Sequence, residues 1–300
     1  MFVSSMQKSR ERTGMTFIIA LLAALGMFLP FLIIDRGFFV FYGDFNVQQI
    51  PFYQMAHDAV RSGDIFWSWT TDLGANFIGS YAFYMLGSPF FWITLIFPSA
   101  VVPYLMAPLL ILKFALSSLT AYLFLRRFLS PDFSMLGSLL YAFSGFSIYN
   151  IFFNHFHEAI LYFPLMLLGM ELYMKEGRRG IFAISVFLSA LSNYYFFIGQ
   201  AIFLVIYWIV RAFSGDWEHV GARFIGLFFE AIAGTSMAAF MLLPAYFSVT
   251  QNPRTNEILA GWDLLIYSKP QRFFDIIHSF FFPQDIPARA SFFPDSDNKW

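Results

Sequence analysis

Apolar runs about as long as a bilayer is thick recur along this chain, and that recurrence constrains its fold more than any motif does. The first occupies residues 15–34, where no charged side chain appears. An α-helix needs about 20 such residues to cross the hydrocarbon core. Lipid offers no partner to backbone N–H and C=O groups, so a run of this kind crosses as a helix that bonds to itself. Composition agrees: 58% of residues are hydrophobic and 12% charged, whereas soluble domains carry about 25% charge. The expected fold class is therefore an all-α polytopic membrane protein. Lys8, Arg10 and Arg12 precede the first run in the manner of a signal peptide. The run is long enough to span and no small-residue cleavage site follows it, which makes it a retained signal-anchor helix.

Taken in order, the sequence predicts helix 1 over residues 15–34 and then an extracytoplasmic loop over 35–88 that is too polar to cross. Within this loop, residues 48–62 place Ile50, Tyr53, Met55, Ala59 and Val60 in a helical pattern, as in an amphipathic helix lying on the membrane. Residues 68–87 read as a second short interfacial helix rather than a strand. Further spans are expected at 102–125, 133–153 and 159–173. The block 180–213 is too long for one span and is split at Asn193 into two helices meeting at an outer turn. A seventh helix covers about 223–247. The expected domains are a membrane module over 1–248 and an extracytoplasmic segment over 249–300, the start of a further region.

Charge placement tests this topology. The predicted cytoplasmic ends hold Lys8, Arg10, Arg12, Arg126, Arg127, Lys175, Arg178, Arg179, Arg211 and Arg223, while the early outer loops hold Arg36 and Arg61. The positive-inside rule favours this orientation, with the N-terminus cytoplasmic. The net charge of −1 offers no basic face for nucleic acid. The absence of cysteine excludes disulfides and thiolate chemistry.

The chemistry-bearing groups collect at the expected outer ends. In YGDFNVQQIPFY, residues 42–53, Asp44 sits just beyond the first span with Asn46, Gln48 and Gln49 around it. A carboxylate there can act as a general base towards a hydroxyl, or it can simply close a Gly-Asp turn. In NHFHE, residues 154–158, His155 and His157 are two apart and do not share a helix face, so phosphate or sugar binding fits them better than a metal, with an interfacial polar cap without chemistry as the remaining reading. Asn76, Tyr81, Tyr84, Asn193, Tyr194 and Tyr195 suit either a carbohydrate site or the interfacial aromatic belt. Arg254 is an outer cation able to hold a lipid-linked phosphate or to serve as an ordinary loop residue. Lys113 and Glu230 fall inside spans, where ionisable groups need a partner or a wet cavity. They are expected to join two helices as a structural pair, with a proton or ion pathway as the alternative. No P-loop, dinucleotide fingerprint, HExxH or GxSxG occurs.

YGDFNVQQIPFY, followed by DLGANFIGSYAFYMLGSPFFW and later SNYYFFIG, resembles the YfhO family of bacterial membrane proteins. That family is similar to the GT-C superfamily of glycosyltransferases, which take a sugar from a polyprenyl-phosphate carrier outside the membrane. The resemblance implies a GT-C-like helix bundle with amphipathic helices in the first outer loop. It also implies inverting transfer to an envelope polymer such as teichoic acid, with Asp44 as the base. The expected donor-phosphate residues are His155, His157 and Arg254; the expected sugar or acceptor residues are Asn76, Tyr84 and Gln48. No metal or cofactor is expected beyond the lipid-linked donor. The expected partners are the bilayer, that donor and an acceptor polymer. Relatives are usually longer, and many carry a second acid where this loop has Asn46. A transporter or flippase of lipid-linked sugars and an envelope scaffold are the competing readings.

Overall fold

The structure is a computed structural model that describes residues 2–41, 43–71, 73–251, 272–278, 281, 282, 291 and 293. The chain divides into a unit over 1–249 and a smaller one over 250–300. In the second unit the described helix is Arg272–His278. Arg254 lies outside the described residues.

The first unit is an all-α membrane bundle. Helix α1 (Phe2–Ile34) runs 33 residues, and its apolar part is Glu11–Ile34. It ends where Gly37 turns left-handed at φ 95° and donates its N–H to Leu32 O at 2.7 Å. This closure satisfies one of the carbonyls that a helix end leaves open. After a five-residue π-helical turn (Phe45–Gln49), α2 follows over Ile50–Ser62. Residues 67–76 are not the helix expected over 68–87. They form a small hairpin in which β1 (Trp67–Ser68) pairs antiparallel with β2 (Ala75–Asn76). Gly74, at φ 105°, permits the return. The hairpin leads into α3 (Phe77–Tyr81), a second π-helical turn (Ala82–Leu86) and α4 (Pro89–Thr94).

Helix α5 (Val102–Leu125) has the bounds expected of the second span. The third is broken. Helix α6 (Pro131–Ala142) stops at Phe143, and Ser144 caps the new helix α7 (Gly145–Tyr149) by accepting from Ser147 N. Helix α8 (Phe156–Glu176) is three residues longer at each end than the short span expected over 159–173. At Asn193 the backbone is extended (φ −156°, ψ 92°), which separates α9 (Ile181–Ser192) from α10 (Tyr194–Phe213). The Asn193 side chain caps α10 through Phe196 N. The expected seventh helix is α11 (Val220–Met237) followed by α12 (Ala239–Thr250), parted at Ala238.

The long helices pack side by side in the order α1, α5, α8, α9, α11, with α6 also against α5. Small residues allow the closest approaches: a Cβ on Gly169 would lie 2.8 Å from Phe182 Cα, and one on Gly234 2.4 Å from Ala183 O. One end of the bundle is tied by ion pairs between Arg12 and Asp132 (3.0 Å), Arg127 and Glu176 (2.5 Å), and Arg211 and Glu171 (2.7 Å). The opposite end gathers the loop 35–88, the NHFHE segment and Asn193.

The expected pairing of Lys113 with Glu230 does not occur. Glu230 accepts from Gly180 N (2.7 Å) and Ala183 N (3.2 Å), so it caps the start of α9. Lys113 pairs instead with Glu158 at 2.9 Å.

Candidate functional site

Asp44 owes its position to its neighbours. Gly43 turns the backbone left-handed (φ 58°), and Asn46 closes the loop by accepting from Phe41 N (3.1 Å) and donating to Phe41 O. Asn46 is thereby a loop clamp. Phe45 is fully buried with its ring edge-on to Phe39, centroids 5.2 Å apart. Between these anchors Asp44 opens the π-helical turn, a local geometry often found at functional sites. Its side chain is half-buried and makes no capping bond. Among the described residues it has no hydrogen-bond or ion-pair partner.

Tyr84 is its electrostatic neighbour. Burial raises the Tyr84 pKa, and the negative charge of Asp44 raises it further. The Tyr84 ring packs edge-on against Phe52 (5.1 Å) and His155 (5.3 Å). These contacts bring Asp44, Tyr84 and His155, separated widely in sequence, into one neighbourhood.

His155 is 1% exposed, so it does not lie on an open helix mouth. Its Nδ1 is 3.2 Å from the Gln49 side-chain amide, which leaves Nε2 as the ring nitrogen free to meet a ligand. Gln48, expected to contact sugar or acceptor, is half-buried, while the buried Gln49 makes the bond to His155. His157 points elsewhere, with Nε2 3.2 Å from Asn150 O and its ring 4.9 Å from Phe114. Among the described residues no three His, Asp or Glu side chains converge as metal ligands would. Asn76 caps α3 by accepting from Gly79 N at 2.7 Å.

Beneath this layer lies an ionic network that sequence reasoning missed. Lys113 and Glu158 are both 0% exposed. Lys113 Nζ donates to Glu158 Oε1 (2.9 Å), Asn154 O (3.0 Å) and Asn154 Oδ1 (3.0 Å), which uses all three ammonium protons. Asn154 Nδ2 donates to Tyr53 Oη at 3.0 Å, and Ser88 Oγ donates to Glu158. Lys113 lies eleven positions into α5, about 16 Å along the helix from Val102. NHFHE is therefore sunk into the bundle, below a cover made by α2 and the Ala82–Leu86 turn. Among the described residues, four buried polar atoms around this region lack a hydrogen-bond partner: Gln49 Nε2, His155 Nε2, Glu158 Oε2 and Asn193 Nδ2. Buried groups of this kind are costly to leave unsatisfied and tend to mark places where a ligand or water completes the bonding.

Comparison with known proteins accords with the membrane fold. The chain is 26% identical to the uncharacterized protein YfhO of Bacillus subtilis (strain 168), across 56% of this chain and 22% of that protein. It thus spans well under two thirds of that relative's length. No solved structure matches. The family described as "Bacterial membrane protein YfhO" matches residues 15–288. This chain, a multi-pass membrane protein, belongs to the YfhO family.

Proposed function

We propose that this chain carries the donor end of a membrane glycosyltransferase that moves a sugar from a polyprenyl-phosphate carrier to a hydroxyl of an envelope polymer. The observation that carries this reading is Asp44: a half-buried carboxylate with no partner among the described residues, held by a clamped loop beside Tyr84 and above His155. Structural carboxylates in this protein, such as Glu158, Glu171 and Glu230, are all engaged. In the reaction, Asp44 takes the proton of the acceptor hydroxyl while its oxygen attacks the anomeric carbon. The bond from that carbon to the carrier phosphate breaks with its electron pair going to phosphate, and configuration inverts. Tyr84 and Gln48 are the proposed contacts to the sugar or acceptor. His155 Nε2 has no partner among the described residues, so it suits a polar group of the sugar or phosphate. Arg254 remains a proposed phosphate ligand. The placement of this end outside the cell, with the arginine-rich end inside, follows the positive-inside rule.

A teichoic-acid-like acceptor is the finer part of this proposal. Transport of a lipid-linked sugar is less favoured, because the buried ionic groups close on one another instead of continuing as a path. The test is Asp44→Asn in the full-length protein at equal membrane abundance. Transfer of radiolabelled sugar from a polyprenyl carrier is expected to fall at least about a hundredfold, within the usual range for losing a general base. Undiminished transfer would remove Asp44 from the chemistry.

A further inference from the structure

A cleft of about 640 Å³ runs between α2 and the hairpin, away from the buried NHFHE network. One wall is a single face of α2, with Gln54, Asp58 and Ser62 among the residues that line it. These positions recur at four-residue spacing, so they form one stripe along the helix. The other wall is Trp67 and Trp69, 48% and 78% exposed, whose rings meet edge to face with centroids 5.7 Å apart. Asp64 lies at the junction.

Both walls are rigid. The opposite face of α2 is anchored by buried Tyr53, Ala56 and His57. On the hairpin, Trp67 pairs with Asn76, and its indole lies so close to Gly74 that a Cβ there would come within 2.9 Å of Nε1. Ser68 Oγ bonds Thr71 Oγ1 (2.9 Å), which bonds the buried Tyr81 Oη (2.8 Å), fixing the strand to α3. Trp67, held this firmly, and Trp69, resting against its ring, give flat apolar faces at small entropic cost on binding.

We propose that this cleft binds a neutral saccharide segment. Indole faces stack on the C–H faces of a sugar ring, while carboxylates and an amide accept from its hydroxyls. Asp58 and Asp64 are exposed and keep acceptor lone pairs beyond their bonds to His57, Ser99 and Ser62. Among the described residues no Lys or Arg lines the cleft, so like-charge repulsion disfavours an anionic phosphodiester chain. Arg61 belongs to an adjoining cleft, where it donates to Phe97 O. Seating the same tryptophans in lipid would force Asp58 and Asp64 towards a low-dielectric medium. Exposed Phe66 and Leu73, which do not line the cleft, are the better lipid-contacting candidates of the hairpin.

The cleft floor at Pro51 stands seven residues from Asp44 on continuous helical backbone, about 10 Å along the axis. A saccharide lying along α2 would therefore present its next residue near Asp44. Its use by the transferase, for a neutral glycan portion of the acceptor and not for its phosphodiester chain, rests on the proposed transferase reading; binding itself does not.

The test uses the full chain in nanodiscs and saturation-transfer NMR with chitotetraose, maltotetraose and an oligomer of glycerol phosphate. At least one neutral tetrasaccharide is expected to bind saturably and the phosphate oligomer is not. Trp69→Ala and Trp67→Ala should each weaken that binding about tenfold or more, and Trp69→Phe should restore part of it. Failure of both neutral saccharides to bind, binding indifferent to both tryptophans, preference for the phosphate oligomer, or strong quenching of Trp69 by brominated lipid would each overturn the proposal. Saccharide binding by a wild-type protein that transfers no sugar would sink the transferase reading and leave this site standing.

Discussion

Removing the ammonium of Lys113 should damage this protein far more than removing both members of its ion pair. In Lys113→Met the carboxylate of Glu158, 0% exposed, keeps Ser88 Oγ as its donor on Oε1, while Oε2 has none among the described residues. Asn154 O and Oδ1 each lose a 3.0 Å donor in the same step. Breaking a buried pair in this way typically costs about 3–5 kcal/mol, because a charge is left without compensation. Replacing both partners with apolar groups of similar volume is often neutral or better. Lys113→Met/Glu158→Leu should thus recover at least about half of the loss, the remainder reflecting the unfilled bonds of Asn154 and Ser88. At about 2–4 °C per kcal/mol for a domain of this size, the single variant should unfold roughly 6–20 °C lower. Thermal unfolding in one detergent, followed by tryptophan fluorescence and by half-life at fixed temperature, reads the difference. A single variant within about 1 kcal/mol of wild type would refute the reasoning. So would a double variant no more stable than Lys113→Met, since the penalty would then not be an orphaned charge.

Three other outcomes follow from particular contacts. Gly87→Ala should destabilise by about 1–3 kcal/mol, because its Cβ would fall 1.8 Å from Leu191 O, whereas Gly145→Ala, with nothing within 4 Å, should be tolerated as a control in the same melting assay. Asp44→Asn should lower the Tyr84 phenol pKa, because one of its two main upward causes disappears; tyrosine ring NMR with Tyr84→Phe for assignment reads the direction. The raised Tyr84 pKa also has a sign for stability: its contribution is intact below the unfolded tyrosine value of about 10 and is lost as pH rises through the folded one.

Much of the architecture was legible because hydropathy and capping are local signals. The bounds of α5, the amphipathic α2 and the break at Asn193 all follow from residues within a few positions of the feature. The break at Ser144 was missed although its capping chemistry is ordinary, since the surrounding apolar run reads as continuous. Within 68–87 the helical expectation holds over 77–86 and fails before it, where a two-residue pairing depends on Gly74 turning left-handed. Asp44, Tyr84 and His155 were each singled out in sequence, but their proximity depends on long-range packing. Lys113 was matched to the wrong acid for the same reason. Depth along separate helices, not spacing in the chain, decides that Glu158 meets Lys113 while Glu230 caps α9.

That cap bears on the surrounding bilayer. Helix α9 has 12 residues and so spans about 18 Å, well short of the hydrocarbon core of about 30 Å. Its first N–H groups would meet acyl chains with nothing to accept them, except that Glu230 reaches across from α11 to Gly180 and Ala183. Arg178, beside this helix start, pairs with Glu176 and remains largely exposed, which draws headgroups inward at the same place. By length alone, α9 matches a thinner hydrocarbon layer than the 24-residue α5 does, a hydrophobic mismatch within one bundle.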